Sequence, residues 1–118
     1  MHTFNRNYLF SYILVAAFYC QGDTKKWDAA WRQKVDVQLV EIAGLARVRE
    51  PVEVRLPAKG LALERWQREA RVVELSSGRE MPSQVLAAGK TDVSVVFQVT
   101  LDSKQQRVFR VYFDNAKA

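Results

Sequence analysis

The sequence predicts an all-β fold: a two-layer antiparallel β-sandwich of about six or seven strands with at most one short helix. Apolar residues recur at every second position over most of the chain after residue 34, as in strands with one buried face. Polar or proline-containing turns separate these runs, and only residues 60–70 have a spacing that a helix could use. Because a sheet with one apolar face needs a second layer to cover it, two sheets packed face to face are expected.

The first two strands are bounded by changes in pattern. Residues 34–42 form the first predicted strand, whose apolar phase shifts near Leu39 and so predicts a bulge or a second buried face. Residues 50–56 form the second, which Pro51 opens and Pro57 closes, because prolines cannot donate to a ladder. The side chains expected to face the core are Val35, Val37, Leu39, Val52, Val54 and Leu56.

The middle of the chain alternates short elements with turns. Residues 60–70 fit either a short helix or a coiled crossover, and residues 71–75 form a strand. A turn at residues 76–78 leads to a short strand over residues 80–86, which Pro82 interrupts. That proline predicts an edge strand or a bulged one.

The last two strands give the clearest signal. Five apolar residues alternate strictly with other residues over 93–101, a polar connection follows at 102–106, and alternation returns over 107–113. The pair predicts an antiparallel hairpin. This hairpin would bury Phe97 and Phe109 on one face and expose Gln98 and Arg110.

The size and composition of the chain favour one folded domain. Its 118 residues are 48% hydrophobic and 26% charged, with a net charge of +5, which excludes a disordered low-complexity chain. The folded domain is predicted to be residues 23–118.

Residues 1–22 are predicted to be a signal peptide. Arg6 precedes an apolar run at residues 9–20, which is shorter than the roughly 20 residues of a membrane-spanning helix. The alternative is a buried N-terminal helix or strand. Two kinds of processing are open: cleavage after Gly22, and a lipoprotein signal with Cys20 as the lipid anchor. Tyr19 departs from the small residue that usually precedes such a cysteine. An exported location, periplasmic, cell-surface or extracellular, is expected.

The residue inventory excludes several reaction classes. The only histidine and cysteine, His2 and Cys20, lie in the predicted signal peptide. The domain therefore lacks the residues for a Ser-His or Cys-His nucleophile pair and the usual zinc ligands, and it has no phosphate-binding glycine motif. A paired-carboxylate glycosidase site stays open, but most acids lie beside Arg or Lys in outward positions. We predict a protein that is not an enzyme and uses no cofactor or metal.

Aromatic and basic residues give the candidate ligand contacts. Trp27 and Trp66 could stack on sugar rings, although Trp31 and Trp66 also fit a core role. Arg65 and Arg68, with Arg71, could present a positive patch to an acidic glycan or anionic surface, together with Arg47, Arg49 and Arg55. The sequence has no concentrated basic stripe, so nucleic-acid binding is not predicted.

Several short segments, in this order, resemble β-sandwich modules of exported bacterial proteins. The Glu50-Pro51-Val52-Glu53-Val54 and Pro82-Ser83-Gln84-Val85 segments resemble DUF4861-like domains and β-domains of family 38 glycoside hydrolases. The ending at Phe113-Asp114-Asn115-Ala116 is similar to that of DUF2341 modules. The resemblance covers about residues 27–118. It also includes Trp31-Arg32, Leu45-Ala46-Arg47, Val72-Val73-Glu74 and Ser77-Gly78-Arg79-Glu80.

The resemblance implies a non-catalytic β-domain beside a larger catalytic or binding region, and no catalytic residue of those enzymes maps onto this chain. Such proteins generally continue beyond the position of Ala118, so both a truncated product and an independent module are open. The sequence therefore predicts an exported accessory or interaction module that acts with a glycan or a glycan-active protein domain. A carbohydrate-binding module with exposed aromatics is the alternative, and membrane contact is expected only through a lipid anchor.

Overall fold

The chain folds as two packed antiparallel sheets, as seen in a computed structural model that describes residues 6–10, 13–19 and 25–118. The elements are β1 Arg6–Phe10, β2 Ile13–Tyr19, α1 Lys25–Ala30, β3 Gln33–Glu41, β4 Arg47–Pro57, α2 Leu63–Glu69, β5 Arg71–Glu74, β6 Arg79–Met81, β7 Ser83–Ala88, β8 Asp92–Leu101 and β9 Gln106–Phe113. One sheet has the strand order β1-β2-β3-β9-β5-β6 and the other has the order β4-β8-β7.

The predicted β-sandwich is confirmed. Residues 25–118 contain seven strands, as expected, and the predicted short helix is α2. The six-residue helix α1 was not expected from the sequence. No helix in the described part of the chain is long and apolar enough to cross a membrane.

The core lies between the two sheets and is built by the alternating residues that the sequence singled out. Val35, Val37 and Leu39 of β3 are fully buried, as are Val52, Val54 and Leu56 of β4. The rings of Phe97 and Phe109 meet across the sheets with centroids 5.2 Å apart. Alternation therefore predicted correctly which side of these strands faces the core.

The predicted hairpin between the last two strands is wrong. β8 pairs with β4 and β7, whereas β9 pairs with β3 and β5 in the other sheet. The connection after Leu101 crosses between the sheets, so the apolar faces of β8 and β9 meet each other instead of lying side by side. A period of two fixes the face that a strand buries, but it does not fix the neighbouring strand.

The single strand predicted over residues 80–86 is two strands. Pro82 lies between β6, at the edge of the six-stranded sheet, and β7, at the edge of the three-stranded sheet. The predicted edge position is confirmed. Because proline has no N–H to donate, the chain leaves one ladder there and enters the other.

Of the two alternatives predicted near Leu39, the bulge is wrong, whereas the second face of β3 is partly buried, with Asp36 5% exposed and Val40 half-buried. β3 pairs with β9 in unbroken register from Gln33 to Val40, and Ile42 is 40% exposed. The irregularity lies instead in β4, between Arg47 and Glu50.

A second layer of packing covers the outer face of the six-stranded sheet. Arg110, predicted to be accessible, is 4% exposed and donates to Asp36 at 2.6 and 3.1 Å. Beside it, Tyr112 stacks on Trp27 of α1 and contacts Trp31. The prediction for Arg110 is wrong because strand alternation assigns to solvent a face of β9 on which Arg110 pairs with Asp36 and Tyr112 packs against Trp27.

The two N-terminal strands lie within the segment predicted as a signal peptide. β1 pairs with β2, and β2 pairs with β3 along its length. The proposed lipid anchor Cys20 and the residues of the cleavage site lie outside the described residues. Cleavage and lipidation stay predictions.

Candidate functional site

Trp66, one of the predicted sugar contacts, is fully buried. Helix α2 lays its ring against Phe113, with centroids 4.3 Å apart, and the indole N–H donates to the Ala58 carbonyl at 2.9 Å. A ligand in solution does not reach a ring that is packed on both its face and its polar edge. The assignment of Trp66 to carbohydrate binding is therefore corrected to a core role, which the sequence had also allowed.

The predicted contacts Arg65 and Arg68 converge on Glu69, a buried carboxylate at the end of α2. Arg65 donates to it at 2.7 and 2.8 Å and Arg68 at 3.0 Å, and the Asn115 backbone N–H adds a fourth bond at 2.8 Å. The guanidinium of Arg65, more than any other group, lowers the pKa of Glu69. These cations thus hold the C-terminal segment against α2, which reduces the positive charge they offer to a ligand.

Trp27 is half-buried. Its ring stacks on Tyr112 with centroids 5.6 Å apart and meets Trp31 at 5.2 Å. Arg71 lies over the ring of Trp31, 5.8 Å from its centroid. The aromatic group therefore packs mainly against its own sheet, and it presents the partly exposed sides of Trp27 and Trp31 to solvent.

A cleft of about 660 Å³ lies at one end of the sandwich and is here named the arginine cleft. That volume lies within the range of roughly 300–1,000 Å³ usual for ligand sites. The cleft is lined by residues of both sheets: Arg49, Pro51, Glu74, Arg79, Met81, Pro82, Ser83, Gln84, Val96, Phe97, Gln98, Val99, Thr100, Arg107 and Phe109.

Strand alternation places charged residues at the mouth of the cleft. Arg107 is in phase with Phe109 on β9, and Glu74 is in phase with Val72 on β5. Arg107 and Glu74 therefore lie on the core-facing side of the sheet, each near the end of its strand. Arg79 pairs directly with Glu74 across β5 and β6 and lies on the same face. The apolar interior of the sandwich therefore gives way to charge at this end.

The charge of the arginine cleft is positive. Arg107 donates to Glu74 at 2.7 Å, and the Ser77 hydroxyl donates to the same carboxylate at 2.7 Å. The Ser77 hydrogen bond is the largest cause that lowers the pKa of Glu74, with Arg107 also contributing. Arg49 and Arg79 are exposed, and the charge of Arg79 also acts on Glu74, so three arginines of the lining share one carboxylate.

Arg49 is held at the rim by an irregular backbone. Its φ is 51°, in the left-handed region that non-glycine residues seldom adopt, at the bulge of β4. Its backbone N–H donates to the Thr100 hydroxyl of β8 at 3.2 Å. The bulge and this bond together set the position of Arg49 beside β8.

One edge of β8 is open where it lines the cleft. β7 pairs with β8 only from Ala88 to Ser83, which lies opposite Phe97. Beyond Phe97, the pairing of β8 continues on the β4 side alone, with Gln98 opposite Pro51 and Leu101 opposite Arg47. In the described part of the chain, no strand covers the other edge of residues 98–101.

The arrangement is suited to binding an anion along a strand edge. Its lining includes one carboxylate, Glu74, which Ser77 and Arg107 already engage, whereas a glycosidase pair needs two. Residues 25–118, with the described N-terminal strands, contain no cluster of three potential metal ligands.

Sequence reasoning named Arg49 but missed Arg79 and Arg107. The available signal was the phase of Arg107, which continues the apolar series Phe109, Val111 and Phe113. A cation at the end of a core-facing series indicates where a sandwich opens to solvent. Arg79 gave no comparable signal, because its place depends on pairing between β5 and β6.

Comparisons of the chain with family models, curated proteins and solved structures give no match. The resemblance to β-domains of glycan-active proteins accordingly stays a prediction. What is established for this chain is its fold, a small antiparallel β-sandwich.

Proposed function

We propose that this chain is an exported, non-catalytic β-sandwich that serves as an accessory or interaction module of glycan-active proteins, with the arginine cleft as its contact site. The observation that carries the proposal is the excess of cations in this cleft, where Arg49, Arg79 and Arg107 face a single carboxylate. A concave site with one sign of charge concentrates oppositely charged ligands.

The strands that build the cleft support a binding role. Its walls come from both sheets, and Phe97 and Phe109 join those sheets beneath it. A backbone that is already held in two packed sheets needs little further ordering when a ligand binds, which favours affinity.

The alternative is carbohydrate binding through exposed aromatics, and one observation favours it. Trp27 retains partial exposure beside Trp31, with Arg71 close by. This surface is on the outer face of the six-stranded sheet, not in the arginine cleft. The two proposals therefore predict different contact residues.

Backbone amide NMR of the full chain distinguishes them. The probes are a capped glutamate-rich peptide, an acidic oligogalacturonate and the neutral oligosaccharide cellohexaose. We expect an acidic probe to shift the amide signals of residues 98–101, Arg79 and Arg107, and cellohexaose to leave them unchanged. Arg79→Glu should abolish the shifts, whereas Arg32→Glu, the same change at an exposed site outside the cleft, should preserve them.

Two results would contradict the proposed site. Shifts centred on Trp27 and Trp31 would support the aromatic alternative. If no probe moves the cleft signals, the arginine cleft is not the binding site.

A further inference from the structure

We infer that the arginine cleft binds an extended acidic peptide segment of a partner protein, which adds a strand to the open edge of β8. The inference rests on the proposed function and names the ligand class of the same site. Strand addition to a sheet edge is a general mode of peptide recognition, in which backbone bonds give affinity and side chains give selectivity.

The open edge has the length of a short added strand. Residues 98–101 span about 13 Å at the usual rise of a strand. Residues 98–100 are part of the lining of the cleft, so their uncovered edge borders it, whereas β4 occupies the other edge. An incoming strand would therefore continue the line of β7 along β8.

The topology keeps this position open. β7 begins at Ser83, and the preceding Pro82 turns the chain into β6 of the opposite sheet. Proline cannot donate the backbone bond that would extend β7. The chain itself thus leaves the edge of residues 98–101 unpaired, with Met81 and Pro82 as a wall of the cleft.

Charge selects an acidic occupant. Alternate side chains of an added strand would point between the sheets, where Arg79 and Arg107 lie at core-facing positions. Arginine binds carboxylates with two parallel hydrogen bonds, which favours Glu or Asp at these positions. Lysine or arginine there would meet like charge.

A peptide fits this cleft better than a glycan does. The aromatic rings in its lining, Phe97 and Phe109, are 2% and 1% exposed, so they offer no stacking platform to a sugar. The uncovered edge instead presents backbone donors and acceptors at strand spacing, which a peptide backbone matches.

The test is fluorescence anisotropy with the full chain and a labelled, capped octapeptide of alternating Glu and Val. We expect it to bind, and we expect the affinity of the Lys/Val counterpart to be lower by a factor of about ten or more, because like charges would meet. A Glu/Val peptide with alternate backbone amides methylated along one edge should also bind with about tenfold lower affinity, since it cannot donate hydrogen bonds to β8.

Two protein variants test the site. Arg79→Glu should weaken binding of the Glu/Val peptide about tenfold, whereas Arg32→Glu, with the same change in net charge, should bind like wild type. Equal weakening by both variants, or full binding of the methylated peptide, would overturn strand addition at this edge.

A competition with oligogalacturonate separates this inference from the proposed function. If the oligosaccharide binds the cleft and the peptide does not, the peptide inference is wrong and the binding function stands. If neither binds the wild-type protein, both are wrong.

Discussion

At the scale of single residues, each buried carboxylate is held by several charge-assisted hydrogen bonds. Asp36 and Glu69 accept from arginines, and Glu41 accepts from backbone N–H groups and Arg47. Burying a charge is costly unless such partners replace water. Removal of one partner at these sites should therefore lower the free energy of unfolding by more than the intact pair contributes to it.

The pair between Asp36 and Arg110 gives a direct prediction. Asp36→Val should lower the free energy of unfolding by about 3–5 kcal/mol, because it leaves a buried guanidinium without its partner. The double variant Asp36→Val with Arg110→Met should be much closer to wild type. Urea denaturation of wild type, single and double variants measures this, and a double variant less stable than Asp36→Val would contradict it.

The contact between Phe97 and Phe109 gives a second prediction. Phe97→Ala should cost about 3–5 kcal/mol, a large share of the roughly 5–15 kcal/mol of a small domain. The neighbouring Gln98→Ala should change stability by no more than about 0.5 kcal/mol, because its side chain is exposed. Thermal or urea unfolding followed by circular dichroism compares the two, and equal tolerance would contradict the burial of Phe97.

At the scale of elements, Glu41 joins two loops at one end of the sandwich. Its side chain accepts from the backbone N–H groups of Ala43, Gly44 and Leu45 after β3, and from that of Lys104 before β9. Burial by itself would raise the pKa of Glu41, but these N–H groups outweigh it and lower the pKa to about 2. The charged form therefore stabilises the folded state.

The low pKa predicts a loss of stability in acid. The pKa of Glu41 is near 4.5 in the unfolded chain and about 2 in the folded one. Its contribution to the free energy of unfolding is therefore full above pH 4.5 and is lost as the pH falls toward 2. Glu41→Gln should be less stable than wild type at pH 7, and the difference should shrink over this range. Urea midpoints between pH 2 and 7 measure it, with exposed Glu53→Gln as control. A difference independent of pH would contradict the assignment.

The crossing between β8 and β9 predicts a definite set of backbone contacts. Nuclear Overhauser effects should connect Val95 with Val54 and Val85, and Val111 with Val35 and Val72. A hairpin would instead connect β8 with β9 through their backbones. Strong backbone effects between those two strands would contradict the two-sheet arrangement.

At the scale of the whole molecule, the hydrophobic core lies within residues 35–113 among those described. The predicted signal segment, residues 1–22, contains β1 and β2, which pair at the β3 edge of the six-stranded sheet. A sheet can lose an edge hairpin and keep its core, although it then presents a new edge.

Residues 23–118 are therefore predicted to fold alone. Circular dichroism should show a β-rich spectrum, and denaturation should be cooperative, as expected of a small domain. The full chain is the control. A truncated chain that fails to unfold cooperatively would show that β1 and β2 belong to the folded unit, and it would contradict the assignment of residues 1–22 as a removable signal.

The sequence by itself determined the fold class and the core-facing side of the strands. Alternation at Val52, Val54 and Leu56, or at Val93, Val95 and Phe97, is a local property of the chain, and burial followed it. Proline at 82 likewise marked a real break, because a missing N–H acts within its own strand.

Only the tertiary structure decided which strands are neighbours and where the open site lies. The partner of a strand depends on contacts between residues far apart in sequence, so β8 and β9 could be read as a hairpin although they lie in different sheets. The burial of Arg110 and Trp66 depends on distant segments in the same way, since Arg110 pairs with Asp36 of β3 and Trp66 packs on Phe113 of β9. The arginine cleft joins residues of all strands from β4 to β9, and no local pattern brings Arg49, Arg79 and Arg107 together, because their proximity arises only when both sheets pack.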